Sequence, residues 1–170
     1  MVNIMYYYLN IFFLLSILGH IIENFIYVHV DSGILFGPWT PIYGVGTLLI
    51  LGINNMLKKL KLNKYVHPIS LFILSAVFLS TLEYIGGTLI EKLFGRIFWD
   101  YSYQKYNIGK YTSLKMSLIW GVASILLVYI VIPLLDKLIK KIPKFITWIL
   151  VLLFIIDVIA TSISLGEFLI

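Results

Sequence analysis

Between Leu114 and Leu135 the sequence reads LKMSLIWGVASILLVYIVIPLL, 22 residues in which Lys115 is the single charge. A helix rises about 1.5 Å per residue, and crossing the hydrocarbon core of a bilayer takes roughly 20 residues. This stretch is therefore long and apolar enough to span, and four others resemble it: Ile4 to Val28, Pro41 to Leu57, Pro68 to Phe94 and Pro143 to Leu165. The predicted fold is all-α, a polytopic membrane helical bundle of about five transmembrane helices, with residues 1–170 forming a single transmembrane domain. The second stretch is the shortest and could be either a short span or a partly re-entrant one.

Composition points the same way. The chain has 170 residues, 61% hydrophobic and 12% charged, with a mean hydropathy of +0.99. Soluble domains average about 45–50% apolar and about 25% charged residues, so this charged fraction is too small to cover a water-facing surface. The net charge is +5, but the lysines sit in short connections between apolar runs, which marks membrane topology rather than nucleic-acid binding. There is no cysteine, which excludes disulfides, thiolate metal sites and thiol catalysis. The apolar segment from Val2 to Leu18 lacks a basic leader and a small-residue cleavage site, so it reads as a span rather than a signal peptide.

Prolines and hydroxyls mark the starts. Thr40-Pro41, His67-Pro68 and Ile142-Pro143 place proline where a first helical turn has no hydrogen-bond partner anyway. Thr112-Ser113 offers hydroxyl caps before the fourth helix, and Pro133 is expected to bend that helix near its end. Lysines cluster after the second helix (Lys58, Lys59, Lys61, Lys64) and after the fourth (Lys137, Lys140, Lys141, Lys144). With these connections inside, the N-terminus is cytoplasmic and the C-terminus outside, in a bacterial cytoplasmic membrane.

Ionisable groups inside a span are costly and are functional candidates by default. On the first helix His20, Glu23 and Asn24 lie three and four apart and share a face. Glu83, Gly87 and Glu91 do the same on the third, and Asp157, Thr161 and Ser164 form a stripe on the fifth. Counted from the cytoplasmic ends, Glu23 lies about 28 Å along its helix, Glu83 about 22 Å, Glu91 about 34 Å and Asp157 about 20 Å. All fall in the middle-to-outer half of the membrane, which suggests a polar cavity opening outward. The plainer alternative is that Glu23 and Glu91 are solvated near an interface, that Asp157 and Glu83 sit in structural pairs, and that Gly87 serves close helix packing.

Two loops would roof such a cavity. The first contains Gly37, Pro38, Pro41, Tyr43 and Gly44, and the density of glycine and proline stiffens it and permits tight turns. The second contains Trp99, Asp100, Tyr101 and Asn107 among further aromatics and cations, and reads as an aromatic belt or as a structured lid over a headgroup or sugar. There is no GxxxxGK[ST], HExxH or GxSxG pattern, so ATP hydrolysis within this chain is excluded. Three scattered histidines make no zinc site, and neither metal nor cofactor is expected.

Several of these motifs occur in one order. Gly19-His-Ile-Ile-Glu23 precedes Phe36-Gly-Pro-Trp-Thr-Pro-Ile-Tyr-Gly44. Then come Glu83-Tyr84, Gly87, Glu91-Lys-Leu-Phe94, Trp99-Asp-Tyr-Ser102, Asn107 and Trp120-Gly121. In this the chain resembles the bacterial family of ABC-transporter type IV, or CmpB-like, permeases over roughly residues 15–140, with the fifth helix outside the matched region. The resemblance implies transport. The loop by which importers dock their ATPase is not visible, and five short spans are few for a pore, so a partner ATPase, another membrane subunit or a homo-oligomer is implied, besides membrane lipids.

Three functions fit these residues. The first is a permease-like membrane subunit of a bacterial transporter, with Glu23 and Glu83 lining the polar cavity toward a cationic or polar solute or a proton. The second is a membrane-embedded enzyme acting on a lipid-linked or headgroup substrate, using Glu23, Glu83, Asp100 and His20 as acid–base groups. The third is a non-catalytic accessory or scaffold subunit.

Overall fold

A computed structural model describes residues 4–26 and 35–167; Tyr27, Val28 and the start of the first loop, Gly33 included, lie outside the described residues. The helices are α1 (Ile4–Ile26), α2 (Pro41–Lys59), α3 (Val66–Phe94), α4 (Leu114–Leu126), α5 (Ile132–Ile139) and α6 (Lys144–Glu167). A π-helical turn, Leu127–Val131, joins α4 to α5, so that Leu114–Ile139 is one continuous rod. The chain is an all-α, multi-pass membrane protein. Among the described residues four helices are long and apolar enough to cross a membrane: Ile4–Phe25, Val66–Phe94, Leu114–Ile139 and Lys144–Leu165. The second stretch, α2, is 19 residues long and is not among the four, because Gly44, Gly46, Gly52, Asn54 and Asn55 dilute its apolar content.

Helix α3 shows how a lipid-facing helix is patterned. Ile69, Ile73, Val77, Ile85, Leu89 and Leu93 form its exposed stripe, while Leu71, Ser75, Leu79, Glu83 and Gly87 form its buried one. Apolar side chains face outward and the polar ones face protein, the arrangement that spares polar groups from hydrocarbon. The ends are set locally. The Asn63 side chain accepts the amides of Tyr65 and Val66 at 3.0 and 2.8 Å, so the helix starts just ahead of Pro68. Gly95, at φ 63°, closes it by donating its amide to the Glu91 carbonyl. Of the two hydroxyls before α4, Ser113 is the cap, accepting the Met116 amide at 3.2 Å.

Pro133 acts through the π turn. Proline has no amide to give the carbonyl four residues back, and its ring crowds that carbonyl. One residue earlier, the Ile132 amide bonds to the Leu127 carbonyl five residues back, opening the turn ahead of the proline.

The chain divides into two compact units, residues 1–45 with 136–170, and residues 46–135. In the first, α1 packs against α6. Thr147 donates to Asn10 at 2.8 Å in a buried pair, and Phe12, Phe13 and Phe154 stack edge to face. The start of α2 lies close on α1. A Cβ on Gly44 would collide with Phe12 and Ser16, and one on Gly19 with the Tyr43 ring. In the second unit α3 packs against α4, with a Ser80–Ser117 hydroxyl pair at 2.6 Å and the Phe72 ring where a Cβ on Gly121 would lie.

Candidate functional site

In the first unit the carboxylates grip the first loop. Asp157, on α6, accepts the backbone amides of Phe36 and Gly37 at 3.0 and 2.8 Å, the Trp39 indole N–H, and the Thr161 hydroxyl at 3.2 Å. An ionised carboxylate offers about four lone-pair positions, and these donors occupy all of them. Asp157 is buried, and a Cβ on Gly37 would collide with both Asp157 and Trp39, so the sharp turn around Pro38 needs glycine there. Trp39 also lies against Phe13 and Phe154, tying the loop into the aromatic core of this unit.

Glu23, on α1, is half-buried and accepts the Tyr43 hydroxyl at 2.9 Å and the Thr40 hydroxyl at 3.3 Å. The amide of Thr40, just before Pro41, donates to the Ser16 carbonyl at 3.1 Å. His20 and Asn24 bond to each other at 2.9 Å, one turn apart. Thus His20, Glu23 and Asn24 do share a face, and Glu23 engages the residues that open α2.

In the second unit the α3 stripe holds the second loop at three levels. Glu83 is 4% exposed and accepts the Tyr101 hydroxyl at 3.2 Å and the Trp120 indole N–H at 3.3 Å, with Thr112 beside it. One turn on, Gly87 receives the Tyr111 ring, which a Cβ would displace. A further turn on, Glu91 pairs with Lys110 at 2.6 Å and accepts the Tyr111 hydroxyl. The loop itself is folded. Asn107–Ile108 and Thr112–Ser113 form a two-stranded antiparallel ribbon, with Tyr106 and Gly109 at φ 59° and 61°. This ribbon was not legible as strand in the sequence. Asn107 donates to the Gly109 carbonyl at 2.7 Å, Asp100 accepts the Ser102 amide at 2.7 Å, and Trp99 donates to the Tyr111 carbonyl at 3.3 Å. Asp100 and Asn107 thus bond within their own loop.

Outside the spans, two groups in this loop are electrostatically tuned. The Ser102 hydrogen bonds hold the Asp100 carboxyl below the usual carboxylate range. Burial first, then the Glu91 carboxylate, pushes the Tyr111 hydroxyl up to about 12. Among the described residues no three His, Asp or Glu side chains cluster as a metal site would require.

The same chemistry recurs at five acidic groups of the helices. Tyr43, Tyr101, Trp120, Tyr111 and Trp39 each aim an O–H or N–H at Glu23, Glu83, Glu91 or Asp157, and Tyr7 donates to Asp136 at 3.0 Å. Sequence spacing identified Glu23, Glu83, Glu91 and Asp157, and Trp120 through its motif, but not Asp136, and it did not identify Tyr7, Tyr111 or Thr112 as neighbours of the carboxylates. What could have found them is the density of Tyr and Trp donors in the loops that adjoin the membrane carboxylates.

No curated protein and no solved structure matches the chain. The model of one family, described as "Putative ABC-transporter type IV", matches residues 10–162. That span reaches beyond the 15–140 suggested by the motifs and takes in α6 with Asp157. By this match over most of its length, the chain belongs to that ABC-transporter type IV family.

Proposed function

We propose that this protein is a permease-like membrane subunit of a bacterial transporter, lying in the cytoplasmic membrane with its N-terminus inside and its C-terminus outside. The observation that carries the reading is Glu83. It is a buried carboxylate within a spanning helix, and it accepts hydrogen bonds from neutral donors, the Tyr101 hydroxyl and the Trp120 indole. Two donors leave part of its accepting capacity for a cationic or hydrogen-bonding solute, or for a proton. Glu23 has the same character in the other unit, with Tyr43 and Thr40 as donors. Each carboxylate lies in the outer half of the membrane, beneath its own loop. The chain has no nucleotide-binding pattern, so energy comes from a partner ATPase or an ion gradient.

Asp157 favours a second reading, an accessory subunit whose carboxylates serve only to fasten loops, because its four donors leave it nothing to offer a solute. Flux separates the two. The protein, purified with its co-purifying subunits, is reconstituted into liposomes loaded with pyranine and challenged with a panel of organic cations, with and without ATP. The expected result is a solute-dependent flux that Glu83→Gln lowers at least tenfold while the variant remains folded. Undiminished flux in that variant rejects Glu83 as the carrier of the function, and no flux under any condition supports the accessory reading.

A further inference from the structure

We infer that the turn between α5 and α6, with the adjoining end of α1, is a binding site for an anionic phospholipid. Lys137, Lys140, Lys141 and Lys144 fall within eight residues here, all exposed. Asp136 is the acidic group among them, and it is already engaged, by Lys140 in a salt bridge and by the Tyr7 hydroxyl at 3.0 Å. Among the described residues no salt bridge involves Lys137, Lys141 or Lys144, so three positive charges stand together without an acidic counterpart.

An aromatic pair is built beside them. Trp148 donates its indole N–H to the Tyr6 hydroxyl at 3.1 Å, the two rings meet edge to face at 6.3 Å, and the Lys144 ammonium lies 5.3 Å from the Tyr6 ring centroid. Tyrosine and tryptophan with polar tips fixed toward one another sit at the headgroup level of a bilayer. Lysine stems lie along apolar surface while their ammonium groups reach the interface. Next to this pair the surface turns wholly apolar: Phe145, Ile149 and Leu152 on α6 are 63%, 48% and 59% exposed. The order is therefore cations, then an amphipathic aromatic pair, then an exposed aliphatic face. A phospholipid has the complementary order of phosphate, glycerol ester and acyl chain. Charge complementarity selects an anionic headgroup, since zwitterionic lipid brings its own cation to the lysines.

Each lysine near an anionic surface contributes about fivefold in affinity, so three give roughly 100-fold. The test counts phosphatidylglycerol molecules retained by the whole protein in native mass spectrometry after equilibration in mixed phosphatidylcholine and phosphatidylglycerol nanodiscs. Lys137→Gln with Lys141→Gln and Lys144→Gln is expected to weaken retention roughly 100-fold, and Lys144→Gln alone about fivefold. Replacing the same three with arginine keeps the lipid. The control removes Lys58, Lys59 and Lys64 from the other lysine-rich connection and leaves this lipid bound. Equal loss in both glutamine triples overturns the inference, because it would mean diffuse attraction to a charged surface. Unchanged retention in the first triple, or loss in the arginine triple, overturns it as well. Displacement by soluble glycerophosphate would show a simple phosphate site and also reject it.

Discussion

Replacing Asp157 with alanine should release the first loop while leaving the helices in place. The carboxylate accepts four hydrogen bonds, two from consecutive backbone amides at Phe36 and Gly37, one from the Trp39 indole and one from Thr161. Side-chain hydrogen bonds in membrane proteins average about 0.6 kcal/mol each, so losing four costs about 2.4 kcal/mol. The indole donor is buried and would find no water on losing its acceptor, so the figure is a lower bound. The readout is amide hydrogen exchange, followed by mass spectrometry on peptides covering residues 35–40. If the amides exchange through local opening, a loss of about 2.4 kcal/mol speeds them about 50-fold. Peptides from α3 and α4 should be unchanged, because they belong to the other unit. Asp157→Asn should fall between wild type and alanine, since an amide keeps one acceptor oxygen but turns an N–H₂ toward donors. Exchange at wild-type rates in the alanine variant would refute the clasp and leave Asp157 available for another role.

Four further outcomes follow from the second loop and its helix. Gly87→Ala should loosen the 107–113 ribbon by about 1–3 kcal/mol, because the new methyl falls within the Tyr111 ring, whereas Gly86→Ala, with open space around it, should be neutral; ribbon exchange rates distinguish the two. Ser113→Ala should cost about 1 kcal/mol through loss of the α4 cap, read as a lower unfolding temperature. The Tyr111 hydroxyl is raised from its ordinary value of 10.0 to about 12. Its contribution to loop stability is therefore fully present below pH 10 and lost as pH rises through about 12, and exchange in the ribbon should show that loss in wild type but not in Tyr111→Phe. Asp100 titrates in the opposite sense: depressed in the folded loop, it favours order above the ordinary aspartate range and loses that effect as pH falls below it, a dependence that Asp100→Asn should abolish.

The helices were legible because lipid imposes length and hydropathy, and Leu114–Leu135 satisfies both without help from neighbours. The face shared by Glu83, Gly87 and Glu91 was equally legible, since four-residue spacing is geometry. What that face meets was not. Spacing puts three groups on a line but says nothing of Tyr101, Lys110 and Tyr111, which reach that line only after the second loop has folded back. The ribbon is not legible because its strands are two residues each and the loop takes positive φ at Tyr106 and Gly109. Pro133 announced a disturbance in its helix, but proline alone does not specify whether the chain kinks or widens; here it widens, at Leu127–Val131. The second stretch was marginal by length, and the structure shows that its glycines and asparagines, not length alone, separate it from the four apolar spans.

The two loop clasps differ in how far along the chain they reach. Tyr101 meets Glu83 across 18 residues, so that contact can close while the ribosome is still making α4. Phe36 meets Asp157 across 121 residues, so the first loop gains this acceptor only once α6 has been made. A truncation of α6 ahead of Asp157 would thus remove the acceptor of a turn 120 residues earlier in the sequence.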